Sequence, residues 1–245
     1  MKLKFIGSSD SAGIPVVNCS CNICKDYRKR NKKNLSTCAF LEVDNSYILF
    51  DAGDDSINTF FDLKELKAKF LTHFHADHCM GLLRLRYSAI ALECYHPSDQ
   101  NGFSDLFKHK HSIEYKELKA FEEIKIGDIT VTALPLLHSK NCFGYFIKSN
   151  NTTIAYLTDA SSLPSSTLEF LKEKDLDYTF IDACYDERKN SGNHLNYLQA
   201  SAILDEIETK NGYLMHISHE TMQYIENKRI KLKYRYVIDD EEFNF

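Results

Sequence analysis

The chain has 245 residues, 43% of them hydrophobic, and a formal net charge of −5, which is length enough for a large buried core. No apolar run approaches membrane-spanning length and the opening MKLKFIGSSDS contains no apolar signal region, so a soluble, cytoplasmic protein without a membrane partner is expected. The acidic balance argues against nucleic acid as a general partner, and the basic run Lys25, Arg28, Lys29, Arg30, Lys32, Lys33 is read as a solvated loop.

In chain order, short apolar runs alternate with amphipathic ones, the pattern of a layered α/β architecture. No linker divides them, so residues 1–245 are read as one domain. Strands are expected at KLKFIG, CAFLEV, SYILF, KFLT, IALECY, DITVTALPL, CFGYFIK, TTIAYLT, YTFID, GYLMHI and YRYVI. VDNS at 43–46 and IGD at 126–128 read as hairpin turns, so much of the sheet should be antiparallel or mixed. Helical periodicity is present in SINTFFDLKELKAK, GLLRLRYSA, PSSTLEFLKEK and LNYLQASAILDEIETK, with Pro164 in the first turn of the third.

Polar residues gather at the carboxyl ends of these strands. Asp51 ends SYILFD, His73 follows KFLT, His138 ends TVTALPLLH, Asp159 ends TIAYLTD and His216 ends GYLMH. One such residue is an ordinary turn former, but five in equivalent places describe an active site. The strongest local signal is LTHFHADHCMG, where His73, His75, Asp77 and His78 form H-x-H-x-D-H after a strand. In an extended segment His73 and His75 point the same way and reach one ion. Asp77 and His78, at the turn into a helix, reach a second. Imidazole and carboxylate donors suit Zn²⁺ or Mn²⁺ better than copper or an iron–sulfur cluster.

With these residues the chain resembles the metallo-β-lactamase superfamily, whose fold is an αββα sandwich with mixed sheets and metals along one edge. By that resemblance His73, His75 and His138 hold one ion, Asp77, His78 and His216 hold the other, and Asp159 bridges them. Asp51 resembles the family's aspartate that orients a ligand histidine. Two ions with a carboxylate bridge imply a shared hydroxide formed at neutral pH, hence a hydrolase, and the two aspartates lean toward phosphoesters.

The stretch NCSCNIC carries Cys19, Cys21 and Cys24. Clustered thiols in a reducing compartment suggest metal, and a closed structural zinc site needs a fourth donor. Cys38 opens an apolar strand, so His219 in HISHE is the expected fourth ligand of an N-terminal zinc-binding loop, closing a loop of about two hundred residues. A redox role has no C-x-x-C geometry followed by a helix to support it. IPVVNCSCNIC, LTHFHADH, LFKHK, LPLLHSK, GYFI, GNHLN and HISHE together resemble the cyclic phosphodiesterase family of the bacterial carbon–phosphorus lyase pathway, over roughly residues 3–239. That resemblance implies phosphoribosyl 1,2-cyclic phosphate as a small phosphorylated substrate, a homodimer, and His194 in GNHLN as general acid. It also implies two catalytic divalent metals, Mn²⁺ or Zn²⁺, and one structural Zn²⁺. Lys140, His109 and His111 stay open, as substrate-lining or solvated side chains. The rival readings are a tRNA 3′-processing endoribonuclease, which lacks here a Gly/Pro-rich arm, a thioester hydrolase, and a non-catalytic metal-binding scaffold.

Overall fold

The computed structural model describes residues 1–61, 65–99 and 102–245. Two mixed sheets carry the chain. The first has seven strands in the order β13-β1-β2-β3-β4-β5-β6, built from β1 (Lys2–Gly7), β2 (Cys38–Val43), β3 (Ser46–Phe50), β4 (Glu65–Phe70), β5 (Leu92–Pro97), β6 (Ile113–Leu118) and β13 (Glu242–Asn244). The second has six, β12-β11-β10-β9-β8-β7, from β7 (Glu123–Ile126), β8 (Ile129–Leu136), β9 (Cys142–Lys148), β10 (Thr153–Leu157), β11 (Tyr178–Asp182) and β12 (Asn211–Met215). Seven helices accompany them: α1 (Asn22–Lys29), α2 (Ala76–Cys79), α3 (Leu82–Leu85), α4 (Ser104–Lys108), α5 (Ser165–Lys172), α6 (Tyr197–Glu206) and α7 (His219–Lys228).

Period-two alternation sorts the side chains into three apolar layers. Leu3, Phe5, Leu41, Ile48, Phe50 and Phe70 of the first sheet meet Val131, Tyr145, Ile147, Tyr156, Phe180 and Met215 of the second, forming the core between the sheets. The other face of the second sheet packs on α5 and α6 through Leu171, Ala200 and Leu204. The other face of the first sheet is covered by α2, α3 and α4 through Cys79, Leu82, Leu85 and Leu106. The layers therefore run helix, sheet, sheet, helix. Among the described residues no helix is long and apolar enough to cross a membrane.

Both expected hairpins form. Asp44 and Asn45 take left-handed φ values of 46° and 62° between β2 and β3, and Gly127 takes 58° between β7 and β8. Several readings of the sequence fail. SINTFFDLKELKAK, read as a helix, gives a single 3₁₀ turn at Ile57–Thr59 and then β4, with positions 62–64 outside the described residues. Leu, Glu, Lys and Ala favour a helix in isolation, but Ala68 and Phe70 alternate with Lys69, and β4 is pinned in parallel between β3 and β5. YRYVI is not a strand; it touches β12 through one bridge, Leu214 to Tyr236. Pro164 is the N-cap of α5 and precedes its first turn. The strands β6, β7 and β13 and the helices α1, α2, α4 and α7 had no counterpart among the expected elements, and α1 takes in Lys25, Arg28 and Lys29 of the basic run read as a loop.

Candidate metal centre

The chemistry-bearing side chains hang from the carboxyl ends of strands. Asp51 follows β3, His73 and His75 follow β4, His138 follows β8, Asp159 follows β10, Asp182 ends β11 and His216 follows β12. Asp51 and His216 have φ values of 57° and 62°, a left-handed backbone that costs a non-glycine residue energy and turns each side chain inward.

Two donor clusters result. The ligand atoms of His73, His75, His138 and Asp159 lie within 4.8 Å of one another, and so do those of Asp77, His78, Asp159 and His216. Asp159, 1% exposed, belongs to both. His75 Nδ1 is 2.8 Å from His73 Nε2 and 3.1 Å from His138 Nε2, so three imidazole nitrogens point at one spot.

Partners behind the rings decide which nitrogen each presents. Thr72 Oγ1 donates to Asp51 at 2.9 Å and therefore accepts from His73 Nδ1 at 3.0 Å, leaving His73 Nε2 with its lone pair. Asp51 accepts from His78 Nδ1 at 2.9 Å and from the Thr72 amide at 2.9 Å. The Asn193 carbonyl accepts from His138 Nδ1 at 2.9 Å. Thr37 Oγ1 donates to the Ser9 carbonyl at 3.1 Å and accepts from His216 Nδ1 at 2.7 Å. His73, His78 and His138 turn Nε2 toward Asp159, whereas the His216 nitrogen beside that carboxylate is Nδ1, 3.4 Å from Asp159 Oδ1.

The charge pattern fits divalent cations. Asp51, Asp159 and Asp182 are buried, and among the described residues none has a Lys or Arg ion pair; their charged neighbours are histidines. His78 Nε2 is buried without a hydrogen-bond partner. A cluster of buried carboxylates with only imidazoles around it needs external positive charge. Burial, then the neighbouring His78, holds His73 well below the usual imidazole range, and burial lowers His75 and His138, which favours the neutral form that binds metal. Burial opposes ionisation of Asp159, but His216 and His78 outweigh it and hold the carboxyl far below its ordinary range. Burial likewise opposes charge on His78, and Asp159 with Asp51 outweighs it, raising that imidazole.

His194 sits beside both clusters, with Nδ1 2.8 Å from Asp182 Oδ2 and its ring 5.0 Å from that of His216. Burial works against its charge, yet Asp182 prevails and raises it to about 9. Asp182 also accepts from the amides of Ala160 and Cys184, which fixes the carboxylate. Asp182, Thr72 and Thr37 were missed by sequence reasoning. Asp182 had a usable signal, since it ends a strand like the others; Thr37 had none, being 179 residues from His216.

The thiols of Cys19, Cys21 and Cys24 also converge within 4.8 Å. The expectation that no C-x-x-C is followed by a helix fails, since Cys21 and Cys24 open α1: Cys21 caps it and accepts from the Cys24 amide, the Val16 amide donates to Cys24 Sγ, and Arg28 donates to the carbonyls of Val16 and Cys19. A hydrogen bond from the Cys21 backbone lowers the Cys19 thiol, while burial pushes Cys24 up to about 11. His219 is not a member of that cluster. It opens α7, which packs on α1, and its Nδ1 is buried without a hydrogen-bond partner, 3.0 Å from Glu220 Oε2. Lys140 donates to Asp99 Oδ2 at 2.8 Å, and His109 and His111 are exposed, His111 against the Tyr87 ring.

A beta-lactamase superfamily domain matches residues 46–217. An octanoyltransferase of Porphyromonas gingivalis is 26% identical over 245 residues, covering 94% of this chain and 48% of that protein. A ribonuclease BN of Citrobacter koseri is 29% identical over 182 residues, covering 68% of this chain and 55% of that one. The chain thus spans about half the length of these curated relatives. The crystal structure of a diphosphatase from the PhnP family superposes with a TM-score of 0.83 at 24% identity, covering 100% of this chain and 96% of that one, a likeness of fold.

Proposed function

This chain belongs to the beta-lactamase superfamily, and from that membership we propose a metal-dependent phosphodiesterase acting on a small cyclic phosphate ester, with phosphoribosyl 1,2-cyclic phosphate as the favoured substrate. The observation that carries the proposal is the pair of donor clusters sharing Asp159, with an imidazole held beside them by a buried carboxylate. His73, His75 and His138 would hold one divalent ion and Asp77, His78 and His216 the other, with Asp159 available to both. Such ions supply Lewis-acid activation of water and of phosphoryl oxygens, and Zn²⁺ and Mn²⁺ both suit this donor set.

The chain's own residues supply orientation and the proton. Asp51 and Thr72 fix the faces of His78 and His73. Asp182 fixes His194 by Nδ1, which also lies 3.9 Å from Asp159 Oδ2, and raises the imidazole to about 9, which favours its protonated form. His194 gives that proton to the departing sugar oxygen, the task for which a positioned imidazole serves as general acid. Cys19, Cys21 and Cys24 would hold a structural zinc, with His219 as the proposed fourth ligand.

The test is hydrolysis of bis(4-nitrophenyl) phosphate, ribose cyclic phosphates and a pre-tRNA by metal-replete protein, with His194→Ala in parallel. Turnover of the cyclic phosphate and a loss of about 10²–10⁴-fold in His194→Ala are expected. Absence of turnover with every phosphodiester overturns the proposal. Turnover of pre-tRNA alone favours the second reading, a tRNA-processing nuclease, which the likeness to ribonuclease BN supports.

A further inference from the structure

Cys184 is unused by the reading above, yet it stands at the centre's edge. Its sulfur lies within 4.8 Å of ligand atoms of both His194 and His216. It is 4% exposed and borders a cavity of about 480 Å³ lined also by Asp10, Tyr185, Arg188 and Ser218. Cys184 and His194 hang from the same carboxylate: Asp182 Oδ1 accepts the Cys184 amide at 3.0 Å and Oδ2 accepts His194 Nδ1 at 2.8 Å. A histidine backed in this way by a buried carboxylate is the ordinary arrangement of a metal ligand.

We propose that Cys184, His194 and His216 form an alternative seat for a thiophilic divalent ion, and that an ion seated there inhibits the enzyme by occupying His194. His216 is common to this triad and to the cluster with Asp77, His78 and Asp159. A neutral imidazole offers one lone pair, so the two seats compete for His216. Their donors differ in kind. The carboxylate-rich seat suits a hard ion such as Mn²⁺, whereas sulfur with two imidazoles suits Zn²⁺ and, more so, Cd²⁺. Binding replaces the sulfur–hydrogen bond by a sulfur–metal bond and the free N–H of His194 by a nitrogen–metal bond, and both protons leave to water. The centre therefore works with Mn²⁺ and is poisoned by an excess of softer ions.

The inhibitory part rests on His194 as proton donor; the binding part does not. Protein with its N-terminal cysteine cluster saturated with zinc and its centre loaded with Mn²⁺ is titrated with Cd²⁺ alone. Bis(4-nitrophenyl) phosphate hydrolysis and the ultraviolet sulfur-to-cadmium band are followed together in wild type, Cys184→Ala and Cys184→Ser. Expected are a fall in wild-type activity of about 10²-fold or more, in line with loss of the general acid, and a wild-type-minus-variant difference band, above the band that the N-terminal thiols give in every protein, with the variants' Mn²⁺-supported activity retained. Equal bands in wild type and in whichever variant folds, checked by thermal melting, overturn the site. A band difference with equal inhibition overturns the role of His194. If no phosphodiester is hydrolysed, the band difference still decides the binding site, so failure of the functional reading and failure of this one are told apart.

Discussion

Replacing Thr37 by valine keeps the side chain's shape and removes one oxygen, which separates orientation of His216 from packing. Thr37 is fully buried, its Oγ1 donating to the Ser9 carbonyl at 3.1 Å and accepting from His216 Nδ1 at 2.7 Å. Valine leaves an imidazole N–H and a carbonyl without these partners, each costing about 1–3 kcal/mol where water is excluded. Asp159 Oδ1, 3.4 Å from the same nitrogen, takes up part of the N–H, so the imidazole falls at the low end and the total loss of stability is about 2–4 kcal/mol. A second loss falls on metal affinity, because His216 no longer has its tautomer fixed. Removing such a partner costs about 10–100-fold, or about 1.4–2.8 kcal/mol. It falls on the cluster of Asp77, His78, Asp159 and His216 and spares that of His73, His75 and His138. Metal-free protein titrated against a chromogenic chelator, with thermal melts alongside, measures both quantities, and Thr37→Ser should restore both. Two ions bound by Thr37→Val at wild-type affinity, with an unchanged melt, would refute the reasoning.

Asp51→Ala removes the acceptor for the Thr72 amide, the Thr72 hydroxyl and His78 Nδ1, so affinity at both clusters should fall about 10–100-fold, read by the same chelator competition. Gly53→Ala places a methyl carbon 2.2 Å from the Asp77 carbonyl and 2.9 Å from that of Thr37, so the segment bearing Asp77 and His78 must shift; a lower melt and weaker metal binding are expected, and an unchanged melt counts against it. Burial raises Asp239 to about 7, against hydrogen bonds from Leu35 and Ser8. A raised folded pKa gives stability that is complete below the unfolded value of about 3.9 and lost as pH rises through about 7. Asp239→Asn should flatten the pH dependence of the melt between about pH 4 and 7, and a slope equal to wild type's there would contradict the assignment. Cys21→Ser should release one tightly held zinc and lower the melt; zinc retained after mild chelation excludes the structural site.

Much of the frame was legible because strands of period two announce themselves locally. CAFLEV, SYILF, CFGYFIK and YTFID coincide with β2, β3, β9 and β11, and the turns at Asp44–Asn45 and Gly127 sit where their residues allow left-handed backbone. The same locality misled at β4, where helix-forming residues became a strand because its neighbours β3 and β5 offered backbone partners on both sides. YRYVI failed for the converse reason, having strand-forming residues but a single bridge to pair with.

In the centre, residue type and strand-end position were enough to nominate the histidines and aspartates, since donor chemistry is a property of the side chain itself. The tautomer each histidine presents is a property of what lies behind its ring, and Thr37, Thr72 and Asn193 reach His216, His73 and His138 with no pattern linking Thr37 or Asn193 to its histidine in sequence. The Asp182 carboxylate behind His194 and the sulfur of Cys184 beside it belong to the same category. The sequence by itself determined which atoms are available to bind a metal and move a proton. The tertiary structure alone decided which way those atoms face, because hydrogen bonds between residues far apart in the chain exist only after the two sheets have closed on each other.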